Sequence, residues 1–161
     1  MKKYIFYLLI IAILPVMVGT LGCESGAPPP LPSSSPASEA AQTWELTNET
    51  GDIAIVAVTP FTNSGTFSET DDSPGWFVRM PGLTYRLHVG GNIVHTSGGD
   101  RWSFVGLTGG AGNAQTLGQG EGTANGQFPN ATAVSGTLTL TTQTPIGTQT
   151  GTANWWGTRK E

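Results

Sequence analysis

From residue 42 onward, short runs of β-branched and aromatic residues alternate with clusters of Gly, Asn, Asp and Pro. None of these runs repeats its apolar residues at the spacing of an amphipathic helix, and several alternate apolar with polar residues as a half-buried strand does. The pattern therefore predicts an all-β domain. The predicted strands cover residues 42–48, 53–61, 75–80, 83–90, 93–97, 101–107, 120–128, 131–142 and 148–159, and the glycine-rich segment 109–120 is predicted to be a mobile loop.

Short turns separate the predicted strands, for example Pro81-Gly82 and Gly99-Asp100. Such turns join antiparallel neighbours, because parallel strands need long crossover connections. A closed barrel would also remove the exposed strand edges that promote aggregation. We therefore predict a small antiparallel up-and-down barrel or, as the alternative, a two-sheet sandwich, of about eight or nine strands.

The segment GWFVRMPGLTYRLHV, residues 75–89, can be aligned as a hairpin around a two-residue turn at Pro81-Gly82. In this register, one face carries the side chains predicted to enter the core, namely Trp76, Val78, Met80, Leu83, Tyr85 and Leu87. The other face carries Phe77, Arg79, Thr84, Arg86 and His88. A further turn at Gly91-Asn92 would pair Val89 with Val94 and His88 with His95.

The C-terminal third alternates Thr with Leu and ends near Trp155-Trp156. This alternation predicts strands whose Thr residues face solvent while Leu138 and Leu140 face the core. Adjacent residues of a strand point to opposite faces. One of the two tryptophans is therefore predicted to lie in the core, and the other to be exposed or to form an interface.

The first 22 residues have the layout of an export signal, because Lys2 and Lys3 precede an apolar run over residues 4–18. The apolar stretch also approaches the length of a transmembrane span, so an uncleaved anchor is the structural alternative. The segment Thr20-Leu21-Gly22-Cys23 resembles the lipobox of bacterial lipoproteins, although that family usually has Leu and then a small residue where this chain has Thr20 and Leu21. The resemblance implies cleavage before Cys23 and lipidation of that cysteine.

The lipoprotein resemblance also implies a location in the cell envelope. Lipoproteins of two-membrane bacteria with a residue such as Glu24 after the cysteine, rather than Asp, are not retained at the inner membrane. Residues 23–41 are mostly Pro, Ser, Ala and Gly, a composition typical of a disordered, extended tether. We therefore predict a signal peptide at residues 1–22, a lipidated tether at 23–41 and a β domain at 42–161.

Composition narrows the function classes. The chain has a formal net charge of −4 and only 7 Lys and Arg residues, which argues against binding a nucleic-acid backbone. Its single cysteine excludes an internal disulfide and a multi-cysteine metal site. No cofactor and no metal site are predicted.

Catalytic signals are sparse. The only histidines are His88 and His95, and there is no G-x-S-x-G motif. A Ser/His/Asp arrangement would have to recruit Asp100. Asp71 and Asp72, in the segment SETDDSPG, lack the spaced pattern of a Ca²⁺ loop and are expected to form a plain acidic turn. The sequence therefore predicts a protein that is not an enzyme.

One set of residues supports a ligand site if the strand register brings them to a common face. Aromatic surface with a few convergent polar groups is what a small-molecule site needs. The candidate residues are Phe77, Arg86, His88, His95, Trp102 and Phe104. If this face lined the lumen, it would resemble the ligand-holding interior of lipocalin- or avidin-like barrels. The alternative is that one aromatic set is core and the other residues are scattered on the surface.

These observations favour a membrane-anchored lipoprotein whose β domain is a non-enzymatic binding module. Its expected partners are the membrane, through the lipid, and a small molecule, glycan or envelope protein. A structural or assembly accessory of the envelope is the alternative, and an enzyme with a sparse site is the second alternative. A cavity lined by Arg86, His88 and Trp102 would favour the binding module, and a filled core with an exposed aromatic patch would favour the accessory. Convergence of Asp100 or Asp71 on a histidine would favour the enzyme.

Overall fold

The computed structural model describes residues 40–161. The predicted signal peptide, Cys23 and nearly all of the predicted tether lie outside the described residues. The domain has ten strands: β1 (Gln42–Asn48), β2 (Ile53–Val58), β3 (Ser64–Glu69), β4 (Trp76–Met80), β5 (Leu83–His88), β6 (Gly90–Thr96), β7 (Gly99–Ala111), β8 (Ala114–Ala124), β9 (Ala133–Thr144) and β10 (Gly147–Arg159). The prediction of an all-β domain is confirmed.

Eight of the strands form a closed antiparallel barrel. Around the ring they follow the order β1, β2, β3, β6, β7, β8, β9 and β10, and β10 pairs with β1 to close the wall. The ring order is the chain order, interrupted only where the β4–β5 hairpin is inserted between β3 and β6. The molecule is therefore the predicted up-and-down barrel rather than a sandwich, with two extra strands.

The segment 109–120 corrects the sequence prediction, because it forms the end of β7 and the first half of β8 rather than a mobile loop. Within β8 glycine recurs at every second position, at residues 118, 120 and 122, and neighbouring atoms occupy the space in front of these three glycines. A Cβ atom at Gly118 would lie 2.3 Å from Leu107 and one at Gly122 would lie 2.4 Å from the Trp155 ring. Glycine therefore makes room for large core residues here. Strand β3 was also missed, because Phe67 is its only buried side chain.

The predicted hairpin register is confirmed residue by residue. Strands β4 and β5 pair Trp76 with Leu87, Val78 with Tyr85 and Met80 with Leu83. The hairpin is held by the Trp76 indole N–H, which donates to the carbonyl of Leu46 at 3.1 Å, and by the Tyr85 hydroxyl, 2.6 Å from that of Thr116.

The predicted turn at Gly91-Asn92 is wrong. Strand β6 begins at Gly90 and continues in the direction of β5, and both strands pair with the long β7. His88 therefore lies opposite Thr108 and His95 opposite Asp100, so the two histidines do not pair. The reason is that β7, with 13 residues, is long enough to pair with β5 and β6 in succession.

The barrel interior is filled by aromatic side chains. Ring centroids lie 5.1 Å apart in the pair Trp44–Trp102 and 4.8 Å apart in the pair Phe104–Trp155. Both pairs are buried, with no ring more than 3% exposed. An eight-stranded barrel is just wide enough either to be filled by side chains or to hold one small ligand. In this protein the side chains fill the barrel, so it resembles a lipocalin barrel only in the arrangement of its strands. Within residues 40–161 we find no helix long and apolar enough to cross a membrane.

Candidate functional site

The structure divides the six predicted ligand residues among three places. Trp102 and Phe104 point into the barrel and are 2% and 3% exposed. They pack on Phe67, with centroid distances of 4.8 and 5.4 Å. These two rings are core residues, and the expected common face with Arg86 and the histidines does not form. The physical reason is strand alternation, which places both rings on the inner side of β7.

Three of the six residues, Phe77, Arg86 and His88, lie together on the outer side of the β4–β5 hairpin. Arg86 donates to Glu69 Oε1 at 2.8 Å and to the carbonyl oxygen of Ser73 at 2.7 Å. The His88 ring nitrogen Nδ1 is 4.0 Å from the other Glu69 oxygen. The Arg86 guanidinium is thereby engaged in holding the 70–75 loop against the barrel wall.

The sixth residue, His95, lies at the entry end of the barrel, which we define as the end where β1 begins and β10 finishes. Its Nδ1 is 2.5 Å from Oδ1 of Asp100, and its ring packs on Phe61 with a centroid distance of 4.7 Å. The second carboxyl oxygen of Asp100 accepts the backbone N–H of Phe128 at 2.7 Å. Because an ionised carboxylate is only an acceptor, Nδ1 of His95 is the donor in this hydrogen bond. In the described part of the chain, no hydroxyl hydrogen-bonds to this ring.

A second ion pair joins the hairpin to the β1–β2 turn. Arg79 donates to both carboxyl oxygens of Asp52, at 2.6 and 2.7 Å, and the backbone N–H of Phe77 donates to the same carboxylate at 3.1 Å. The Arg79 guanidinium, with the Phe77 N–H, lowers the pKa of Asp52 to about 2, although burial opposes the shift. This pair is a structural clamp on the side of the barrel.

The acidic loop offers no metal centre. Asp71 and Asp72 are both exposed, and Glu69 turns away to bind Arg86 and the Ser73 hydroxyl. Among residues 40–161 there is no group of three or more His, Cys, Asp or Glu side chains that could hold a metal ion.

A different surface emerges on the outside of β8, β9 and β10. Nine outward side chains from these strands form a grid of three rows, which we call the outer face. Its rows are Thr123–Ser135–Trp156, Glu121–Thr137–Asn154 and Gln119–Thr139–Thr152. Eight of the nine residues are exposed and Thr139 is half-buried. Thr137, Thr139 and Thr152 face outward and Leu138 is buried, as predicted, whereas Thr142 is buried and its hydroxyl lies 2.6 Å from that of Thr116.

Two grooves lie along the outer face. One, of about 350 Å³, lies beside the Trp156 ring and is bordered by Thr123, Ser135 and Thr158. The other, of about 510 Å³, is bordered by Ser103 of β7 and by the outer-face residues Gln119, Glu121, Thr137 and Thr139. The first groove is lined by the row that contains Trp156 and the second by residues of the other two rows, so the grooves lie next to each other on the grid.

An apolar groove of about 610 Å³ lies at the opposite end of the barrel, between the tips of the hairpins. Met80, Leu83 and Ala111 contribute to its walls, and Ile146 at the β9–β10 turn contributes a side chain of a residue that is 96% exposed. This end is remote from the entry end, where the chain arrives at β1.

Sequence reasoning singled out Trp156 but missed its neighbours on the outer face. Gln119 was missed because residues 109–120 were predicted to be a loop, whereas Glu121 lies in the predicted strand 120–128 but was not recognised as part of a surface. The signal that could have found them is the alternation L-G-Q-G-E-G, residues 117–122, in which every second position is glycine and the others are polar or exposed. Comparison of the chain with protein-family models, curated proteins and solved structures finds no match.

Proposed function

We propose that this protein is an exported, lipid-anchored envelope protein whose barrel is a non-enzymatic interaction module. One observation carries the proposal for the barrel. Its interior is filled by packed aromatic side chains, whereas Trp156, 45% exposed, lies on an otherwise polar outer face. Binding on the outside of the wall, rather than in a lumen, is the function best supported by this arrangement. The proposal therefore combines two hypotheses from the sequence. The protein binds a partner, and because its core is filled, it does so through its outer surface, as expected for an envelope accessory.

The anchor is supported by the resemblance of residues 20–23 to a lipobox and by the apolar run that precedes them. Glu24 favours the outer membrane in a two-membrane host. The test is to label cells with radioactive palmitate and to separate their membranes. Cys23→Ala is expected to lose the label and to leave its normal membrane fraction. Label that survives the substitution would refute the lipid anchor.

The interaction module is tested with a soluble form that starts at residue 24. This form is mixed with isolated cell envelopes, and the retained fraction is measured after sedimentation. Trp156→Ala is expected to weaken retention at least about fivefold, as truncation of a central interface tryptophan does. Leu117→Ala, a matched control that removes an exposed apolar side chain from β8, is expected to be retained like the wild type. Equal retention of all three forms would contradict the proposal.

A hydrolase is the second candidate, favoured by the short contact between His95 and Asp100. This pair is the orienting half of a nucleophile–base–acid arrangement. A panel of p-nitrophenyl esters tests the idea. Hydrolysis above background that His95→Gln abolishes would support an enzyme, whereas equal rates for wild type and variant would exclude this pair as its catalytic base.

A further inference from the structure

We propose that the outer face of β8–β10 binds a neutral glycan chain, with the Trp156 indole as the platform for one sugar ring. The inference rests on the proposed function, and it names the class of ligand for the module. It follows from three properties of the outer face, which are its single exposed aromatic ring, its free polar groups and its small charge.

The exposed ring is the first argument. The other four tryptophans of the described chain are at most 2% exposed, whereas Trp156 is 45% exposed and projects among hydroxyl-bearing side chains. An indole face is electron-rich and attracts the weakly positive C–H hydrogens of an apposed ring. A pyranose presents such C–H groups on its faces and hydroxyls around its edge. A tryptophan bordered by Thr123 and Ser135 fits both parts of that ligand.

The polar groups around the ring are the second argument. Within residues 40–161, the side chains of Gln119, Glu121 and Asn154 make no hydrogen bond to protein; Asn154 takes part only through its backbone N–H, which donates to Glu49. They therefore remain available to a ligand. Amide, carboxylate and hydroxyl groups together supply donors and acceptors, which is what a ligand rich in hydroxyls requires.

The arrangement of these groups also suits a chain rather than a single sugar. The row containing Trp156 and the row containing Gln119 are four residues apart along β8, or about 13 Å. The groove of about 350 Å³ is lined by the Trp156 row, and the groove of about 510 Å³ by residues of the other two rows. The outer face can therefore contact several successive sugar units.

Charge selects a neutral ligand, which is the third argument. Glu121 is the only charged residue among the nine of the outer face. Two charged residues border the outer face, namely Arg101, which pairs with Thr123 from β7, and Glu49, whose Oε2 accepts the backbone N–H of Asn154. A polyanion would need a cluster of Lys or Arg to neutralise it. The apolar groove near Ile146 presents few polar groups and suits a hydroxyl-rich chain less well, which makes it a useful control site.

The experiment is affinity electrophoresis of the detergent-extracted full chain in native gels. Each gel contains one soluble neutral polysaccharide, namely dextran, hydroxyethyl cellulose, glucomannan or arabinoxylan, and a further gel contains polygalacturonate as the acidic comparison. We expect at least one neutral polysaccharide to retard the wild type and to do so equally when salt is raised about tenfold, since few charges are involved. Trp156→Ala is expected to bind at least about tenfold more weakly. Trp156→Phe should retain part of the binding, and Ile146→Ser all of it.

Three results would overturn the inference: no retardation by any neutral polysaccharide, equal retardation of the wild type and Trp156→Ala, or retardation by polygalacturonate alone. Unfolding curves of the variants show whether a loss reflects misfolding. If no polysaccharide retards the chain but Trp156→Ala still loses envelope retention, the glycan inference fails and the proposed function stands. If Trp156→Ala changes neither measurement, both fail.

Discussion

Trp155 and Trp156 are adjacent on β10 but occupy opposite sides of the barrel wall. Trp155 is 1% exposed and its ring lies 4.8 Å from that of Phe104, whereas Trp156 is 45% exposed. The separation follows from strand geometry, because successive side chains alternate between the two faces. One residue therefore serves the core, and its neighbour is available to a partner.

The first prediction separates these two roles. Trp155→Ala should lower the free energy of unfolding by about 3–5 kcal/mol, because it removes a large buried ring and leaves a cavity. Trp156→Ala should change it by less than about 1 kcal/mol, since its side chain is substantially solvated. Urea unfolding followed by circular dichroism measures both values. Similar losses in the two variants would contradict the opposite placement of the rings.

The second prediction concerns acid stability. The pKa of Asp52 is lowered to about 2 by the Arg79 guanidinium, assisted by the Phe77 N–H. Because the folded pKa lies below the ordinary value, the contribution is complete above about pH 4 and is lost as the pH falls towards 2. After allowance for solvent screening on the half-exposed Arg79, Asp52→Asn should cost about 1–2 kcal/mol at neutral pH.

The measurement for Asp52 is a set of urea unfolding curves between neutral pH and pH 2. The difference between the wild type and Asp52→Asn should shrink steadily below about pH 4. Asp71→Asn is the matched control, because Asp71 is exposed. A difference that stayed constant over the whole range would show that the carboxylate is not held ionised by Arg79.

The parts of the fold that depend on the alternation of apolar and polar side chains could be predicted from the sequence. The β4–β5 register was predictable because the alternating apolar residues can face the core in only one alignment around Pro81-Gly82. The position of β6 was not. A turn at Gly91-Asn92 is locally reasonable, and only the length of β7, which pairs with both strands in succession, decides against it.

The candidate site was less predictable than the fold. Trp102 and Phe104 were grouped with Arg86 because no local signal says which side of β7 faces inward. That choice depends on Phe67 and Trp155, which reach the same core from β3 and β10. The outer face depends in turn on β8, whose strand character rests on pairing with β7 and β9 rather than on β-propensity.

The third prediction concerns the buried carboxylate at the entry end. Asp100 is 2% exposed and accepts hydrogen bonds from His95 and from the backbone N–H of Phe128. Asp100→Ala leaves the Phe128 N–H without its partner, so we expect a loss of about 2–4 kcal/mol. Asp72→Ala, at an exposed position, should be close to neutral. Chemical unfolding distinguishes these outcomes, and a neutral Asp100→Ala would mean that this end of the barrel does not depend on the pair.

The last prediction tests why β8 is rich in glycine. A Cβ atom at Gly122 would lie 2.4 Å from the Trp155 ring and 2.8 Å from the carbonyl oxygen of Ser135, whereas one at Gly151 would have no neighbour within 4 Å. Gly122→Ala should therefore lower stability by about 1–3 kcal/mol through overpacking, and Gly151→Ala should be neutral or slightly stabilising. Thermal unfolding gives the comparison, and the near-ultraviolet circular dichroism of Trp155 should change only in the first variant. If both alanine variants were equally stable, the glycines of β8 would not be there to accommodate the core, and the explanation for the strand would have to be abandoned.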